Sequence, residues 1–396
     1  MDKKIKAHTV INQLVQDHYR RALSAKENGE MVGWCTSNFP QEIIETMGLT
    51  VVYPENHSAT LAARQEALPL CGHAEAIGYS NDICSYAKVN LGYLHQVGEQ
   101  SLHIPRPDYL LCCSNICHQL MKWYENIAQE LHIPMIFIDI PFNTDYETDD
   151  IRLQYIKTQF YDAIQQLEKI TGKVFYEDKF KQVMKISNEV GNAWNKISDY
   201  ACYQPSPYSG TDLFVYMGAA VCLRGREETR DAFYLLLEEL EEAVRVNKSK
   251  CRYDQKYRIL YEGICCWPAL LRIATSMAQY GMNIVGAVYT NTYGIEYNSF
   301  DEMIKAYTCV PNAVNFEKAL DMRLAEIGKK HCDGALVHMS RSCKVWSGIL
   351  YELTRKIEEK TGTPTIFFDG DQADPQNFSE AQYDTRIQGF YEVMKG

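Results

Sequence analysis

Apolar residues at positions 5, 10, 11, 14, 15, 19 and 23 recur at helical spacing over residues 3–29. The period then changes. Val32-Gly-Trp-Cys-Thr reads as a strand that ends in Ser37-Asn-Phe-Pro40. Pro40 suits the first position of a helix running to Met47, Gly48 suits its C-terminal cap, and Thr50-Val-Val-Tyr-Pro54 follows as a short buried strand. From about 150 to 250 the strand signals vanish. Ile151 to Ile170, Lys179 to Tyr200 and Thr229 to Val246 show helical spacing, with Pro205-Ser-Pro and Ser209-Gly as a loop among them. Strand patterns return at Tyr257-Arg-Ile-Leu-Tyr and Asn283-Ile-Val-Gly-Ala-Val-Tyr. The expected layout is an N-terminal helix over 1–30 packing with a helical segment at 150–253, a first α/β domain over 31–149, and a second over 254–396. A chain of 396 residues is long enough for two or three such units.

Two stretches look like versions of one unit. The first is Asp108-Tyr-Leu-Leu-Cys-Cys-Ser-Asn-Ile-Cys117, a helical stretch, then Ile133-Pro-Met-Ile-Phe-Ile-Asp139. The second is Gly334-Ala-Leu-Val-His-Met-Ser-Arg-Ser-Cys343, a helical stretch, then Thr363-Pro-Thr-Ile-Phe-Phe-Asp369. Each is an apolar strand, a polar turn, a Cys at the mouth of a helix, and a second strand ending in Asp. The fold class is therefore α/β, with two related parallel-sheet lobes, and open parallel sheets bind ligands outside the carboxyl ends of their strands. A third Cys shares the context: in Ser80-Asn-Asp-Ile-Cys-Ser-Tyr-Ala-Lys88, Cys84 stands near a helix start. A helix N-terminus stabilises a thiolate through its free N–H groups and dipole. Singly, Cys84, Cys117 and Cys343 would each read as structural; the threefold recurrence points instead to a metal centre in the crevice between the lobes. Zinc and an iron–sulfur cluster both remain open for three thiolates. In a cubane, three cysteines would leave one iron free for water or substrate, as in a catalytic zinc site.

Composition narrows the classes. The net charge is −11, and no clustered basic face offers itself to nucleic acid. Met1-Asp-Lys-Lys-Ile-Lys leads into an amphipathic pattern rather than a signal-peptide core, and no run reaches membrane-spanning length, so a cytoplasmic protein is expected. In a reducing compartment most of the 14 cysteines should be core residues, among them Cys112, Cys222, Cys265 and Cys266. No Cys-x-x-Cys, Gly-x-Gly-x-x-Gly, Walker A, His-Glu-x-x-His or Gly-x-Ser-x-Gly motif occurs. Ser37 or Asn38 can cap the helix ahead of Pro40, a role compatible with a site at the strand end. Glu55, after Val51-Val-Tyr-Pro, reads by itself as a solvated loop residue. Asp369-Gly-Asp-Gln-Ala-Asp374 lacks the spacing of a calcium loop, and His118 is not counted as a ligand.

Taken together, Ser37-Asn-Phe-Pro-Gln-Glu, Asn-Asp-Ile-Cys84, Ser-Asn-Ile-Cys117, Ser-Arg-Ser-Cys343 and the Asp-Gly-Asp-Gln-Ala-Asp run resemble the 2-hydroxyacyl-CoA dehydratases, iron–sulfur enzymes related to benzoyl-CoA reductase. The likeness covers essentially the whole chain and is greatest to the substrate-binding α subunit. It implies a [4Fe-4S] cluster on Cys84, Cys117 and Cys343 with the fourth iron open. It also implies a homologous second subunit, a transient ATP-hydrolysing activator, and one low-potential electron passed through the partner's cluster into the thioester of an (R)-2-hydroxyacyl-CoA. Under the resemblance Ser37 hydrogen-bonds the open iron's ligand, while Glu55 handles the proton or the leaving hydroxide. The readings beside it are ring reduction of the benzoyl-CoA-reductase type and a non-catalytic relay subunit. A relay would close its cluster with a fourth protein ligand, for which Cys35 and Cys113 are the nearest candidates.

Overall fold

The structure, a computed structural model, describes residues 6–95, 98–311 and 313–396. Strands β1 (Val32–Cys35), β2 (Thr50–Val52), β3 (Tyr109–Cys113) and β4 (Met135–Ile138) form a parallel sheet in the order β2-β1-β3-β4. Strands β5 (Tyr257–Glu262), β6 (Met282–Ala287), β7 (Gly334–Ser340) and β8 (Thr365–Gly370) form a second in the order β6-β5-β7-β8. The two orders are the same, so the internal likeness extends from the Cys-bearing unit to the whole sheet. β1, β3 and β6 are buried throughout, which is why they read as unbroken apolar runs rather than alternating ones. Gly33 is required where β1 pairs with β3, because a Cβ there would run into the ring of its register partner Tyr109.

The helices of the first half are α1 (Ala7–Glu27), α2 (Gln41–Met47), α3 (Pro54–Ala63), α4 (Ala67–Ala76), α5 (Ser85–His95) and α6 (His118–Leu131). The middle is helical: α7 (Asp150–Thr171), α8 (Glu177–Asp199), α9 (Gly210–Leu223) and α10 (Glu227–Arg245), with α1 packed on α9 and α10. The second sheet carries α11 (Leu270–Gln279), α12 (Val288–Asn291), α13 (Phe300–Tyr307), α14 (Phe316–Lys330), α15 (Lys344–Thr361) and α16 (Glu380–Lys395). No helix among the described residues is long and apolar enough to cross a membrane.

Local differences from the sequence pattern have physical causes. Gly48 ends α2 in the left-handed conformation as expected, but Pro40 is the N-cap rather than the first helical residue. α9 starts at the end of the expected loop and occupies a stretch for which the pattern predicts no element. It is buried on nearly every side, so its apolar residues mark no single face and no 3.6-residue stripe stands out.

The first sheet, the helical segment and the second lobe meet at a buried carboxylate. Glu42 of α2 accepts hydrogen bonds from Ser187 at 2.6 Å, Tyr297 at 2.7 Å and Tyr307 at 2.7 Å, and faces the Arg224 guanidinium at 3.7 Å. Burial pushes its pKa up, but Arg224 and the three hydroxyls outweigh that and hold the carboxyl below its ordinary value. Its stabilisation is therefore present above the unfolded-state pKa and is lost as pH falls through the depressed folded one. Glu42→Leu, which strands Arg224, is expected to lower unfolding stability by about 3–5 kcal/mol. Denaturant unfolding at neutral pH checks this. A loss below about 1 kcal/mol there would show that the pair does not tie the lobes together.

Candidate functional site

In each sheet the chain leaves the first strand to one side and returns on the other, so the crevice at the carboxyl ends opens between β1 and β3, and between β5 and β7. The local units converge there. Cys84 directly precedes α5, Cys117 is the N-cap of α6, and Cys343 is the N-cap of α15. All three are half-buried, and all three line one cavity together with Ser37 and Glu55. Burial pushes the Cys84 thiol up to about 12 and Cys117 to about 11, and raises Cys343 well above its usual value. The thiols also oppose one another's ionisation, Cys117 acting on Cys84 and both of these on Cys343. Amides of the following helical turn pull the other way: Tyr86 and Ala87 for Cys84, Gln119 and Leu120 for Cys117, Trp346 for Cys343.

A cross-lobe latch holds Cys84 against Cys343. The Ser85 amide donates to the Ser342 hydroxyl at 3.0 Å, and the Ser85 hydroxyl donates to the Asp371 carboxylate. Asp371 also accepts from the amides of Ser342 at 3.0 Å, Ala373 at 3.0 Å and Asp374 at 3.2 Å. Buried Lys88 bridges Asp374 at 2.9 Å and Glu75 at 2.8 Å, and the Gln372 side-chain amide donates to Cys84 Sγ at 3.2 Å. The Asp-rich run after β8 thus serves to lock the two lobes in register. Its carboxylates are satisfied by amides, hydroxyls and a lysine.

Ser37 and Glu55 are in direct contact. Glu55 Oε1 accepts the Ser37 amide at 2.9 Å and the Ser37 hydroxyl at 3.1 Å, while Oε2 accepts the Tyr124 hydroxyl at 3.3 Å. Tyr293 donates to Ser37 Oγ at 3.4 Å. Ser37 therefore does not cap α2, and Glu55 is not a loop residue: it lies in the first turn of α3, behind Pro54 at the first helical position. Burial raises the Glu55 pKa, and its own amide, Ser37 and Tyr124 draw it part of the way back. A carboxyl group so raised and so oriented has a greater affinity for a proton than an exposed one.

The rest of the cavity wall is mostly apolar or aromatic, with the neutral polar side chains of Asn38, Asn56, Thr292 and Gln372 among it, and the indole N–H of Trp123 is buried there with no partner. Neither Cys35 nor Cys113 lines it; Cys35 donates to the Thr36 carbonyl at 3.3 Å and Cys113 to Asn115 Oδ1 at 2.7 Å. On the far side of the three cysteines a second cavity opens outward past Asp82, Asp139, Phe142 and Lys344. His118 is exposed and faces that outer cavity, not the inner one.

A family model for the 2-hydroxyglutaryl-CoA dehydratase D-component matches residues 36–394. The chain belongs to this family of dehydratase subunits. It is 54% identical to the (R)-phenyllactyl-CoA dehydratase alpha subunit of Clostridium sporogenes, over 99% of this chain and 96% of the relative. It is 48% identical to the (R)-2-hydroxyisocaproyl-CoA dehydratase alpha subunit of Clostridioides difficile, over 100% of this chain and 98% of the relative. It is 38% identical to the (R)-2-hydroxyglutaryl-CoA dehydratase alpha subunit of Acidaminococcus fermentans, over 97% and 96%.

The donor set of this dehydratase subunit suits the cluster that the resemblance implies. Three half-buried thiols, each costly to ionise unaided, call for a strongly positive partner. In a cluster each thiolate would take a separate iron. Tyr124, Tyr293 and Asp371 are the residues that sequence reasoning missed. Tyr124 carried a usable signal, since it lies seven positions past Cys117 on the same helix.

Proposed function

We propose that this chain is the substrate-binding α subunit of an enzyme that removes water from an (R)-2-hydroxyacyl-CoA to give the 2-enoyl-CoA. Cys84, Cys117 and Cys343 are the residues that would hold a [4Fe-4S] cluster. The observation that carries this reading is the convergence of three half-buried thiols and the Ser37–Glu55 pair on one cavity.

The difficulty of the reaction lies at the β-carbon, whose hydrogen is normally far too weakly acidic for a protein base. One electron added to the thioester carbonyl makes a substrate ketyl radical anion, which expels the 2-hydroxyl as hydroxide. The β-proton, now next to a radical centre, passes to Glu55. Hydroxide and that proton leave as water, and the electron returns to its donor as the enoyl thioester forms, so there is no net oxidation or reduction. When bound, the cluster supplies electron transfer and a Lewis-acid position. The chain's own groups do the remainder. Ser37 and Tyr124 fix both oxygens of the Glu55 carboxylate, and the aromatic wall keeps water from the radical.

The partners are a homologous second subunit, in a heterodimer, and a transient ATP-hydrolysing activator that delivers the electron in a reducing cytoplasm. The test is anaerobic iron and sulfide analysis of the chain with its partner, followed by turnover of CoA esters with activator and ATP. Steady dehydration is expected only with all components present. Dehydration by the chain alone, without ATP or a strong reductant, refutes the division of labour.

A further inference from the structure

Beyond its reacting groups, the cavity is chemically one-sided. Apolar and aromatic side chains, among them Trp123 of α6, Met217 and Val221 of α9 and Trp346 of α15, make up most of its walls, and the other polar side chains there, such as Asn56 and Thr292, are neutral. No Lys, Arg or His is among the residues that line it, and Glu55 is its one carboxylate. A buried guanidinium behind the wall is already committed. Arg323 lies 5.2 Å over the Trp346 ring, but its Nη2 and Nε donate to Glu262 at 2.8 and 3.1 Å, and its Nη1 to the Ala319 carbonyl at 3.1 Å. Arg224 lies outside the lining, with its charge opposed by Glu42 and its Nε on Ser187.

Resting on the dehydratase reading above, we propose that this chamber selects an acyl side chain that is uncharged and apolar, an aryl or branched alkyl group, and rejects one that ends in a carboxylate. A terminal carboxylate would be buried without a cation and would share the cavity with Glu55, so desolvation and like-charge repulsion both oppose it. An aryl or branched alkyl group instead meets the tryptophan faces and the Met217–Val221 side of α9, and an aromatic ring gains edge-to-face contacts as well. The α9 helix, whose apolar residues form no stripe because both of its faces are used, thus serves the fold on one side and substrate choice on the other.

The test uses the assembled enzyme with partner subunit and activator. kcat/KM is measured anaerobically for (R)-phenyllactyl-CoA, (R)-2-hydroxyisocaproyl-CoA and (R)-2-hydroxyglutaryl-CoA, beside equilibrium binding of the same three thioesters. The glutaryl ester is expected to fall about 10²-fold or more below the better apolar ester, with weaker binding to match. A glutaryl ester processed within about tenfold of the better apolar ester overturns the chamber assignment and leaves the dehydratase reading standing. If none of the three turns over, the dehydratase reading falls and binding decides the chamber: a preference for the apolar esters upholds it, and equal or reversed binding overturns it as well.

Discussion

Replacing Cys117 by Ala is expected to strip iron and sulfide from this subunit and to abolish turnover, and Cys84→Ala and Cys343→Ala should do the same. The three proposed ligands stand at three helix N-termini, and no further cysteine lines the cavity to stand in for a lost one. Each thiol is buried enough to resist ionisation by itself, so metal binding and thiolate formation are coupled: with two anchors left, neither process supports the other. Buried Cys222 and Cys265 provide the contrast. Their replacement by Ala should leave iron content intact and cost about 1 kcal/mol, the scale of a small core truncation. Metal analysis after anaerobic purification reads both halves of the comparison. Full iron in the Cys117→Ala protein sinks the ligand assignment whatever happens to activity.

Why the cysteines were legible and their surroundings were not is a matter of sequence distance. Strand, polar turn, Cys and helix follow one another within about a dozen residues in each lobe, so local rules suffice to place Cys117 and Cys343 at strand ends. The structure adds that the two sheets share one strand order. The Ser37–Glu55 bond is different in kind. It joins the ends of two neighbouring strands and is completed by Tyr124 from α6 and Tyr293 from the second lobe, contacts that no periodicity encodes. The Asp371 latch was hidden for the same reason, since its donors Ser85 and Ser342 lie far away in sequence or on the preceding strand's turn. Buried α9 shows the complementary failure: a helix used on all sides has no polar face to announce its period.

Glu55→Gln is expected to slow the chemical step by about 10²–10⁴-fold while iron content and thioester affinity survive. The amide keeps the shape of the side chain and can still accept from Ser37, but it cannot take the β-proton. A pH series makes the assignment sharper. Glu55 acts as a base only when ionised, and burial has raised its pKa, so the rate should fall along an acid limb above the ordinary carboxylate range. The Tyr124 hydroxyl favours the carboxylate, hence Tyr124→Phe should raise the pKa further and move that limb to higher pH. At alkaline pH, where the carboxylate is ionised in both proteins, the two rates should draw together. A merely structural role for Tyr124 would lower the rate at every pH without moving the limb. If Glu55→Gln turns over like the parent, or if Tyr124→Phe moves the limb downward, then Glu55 is not the base, and the β-proton must leave by another group in the cavity.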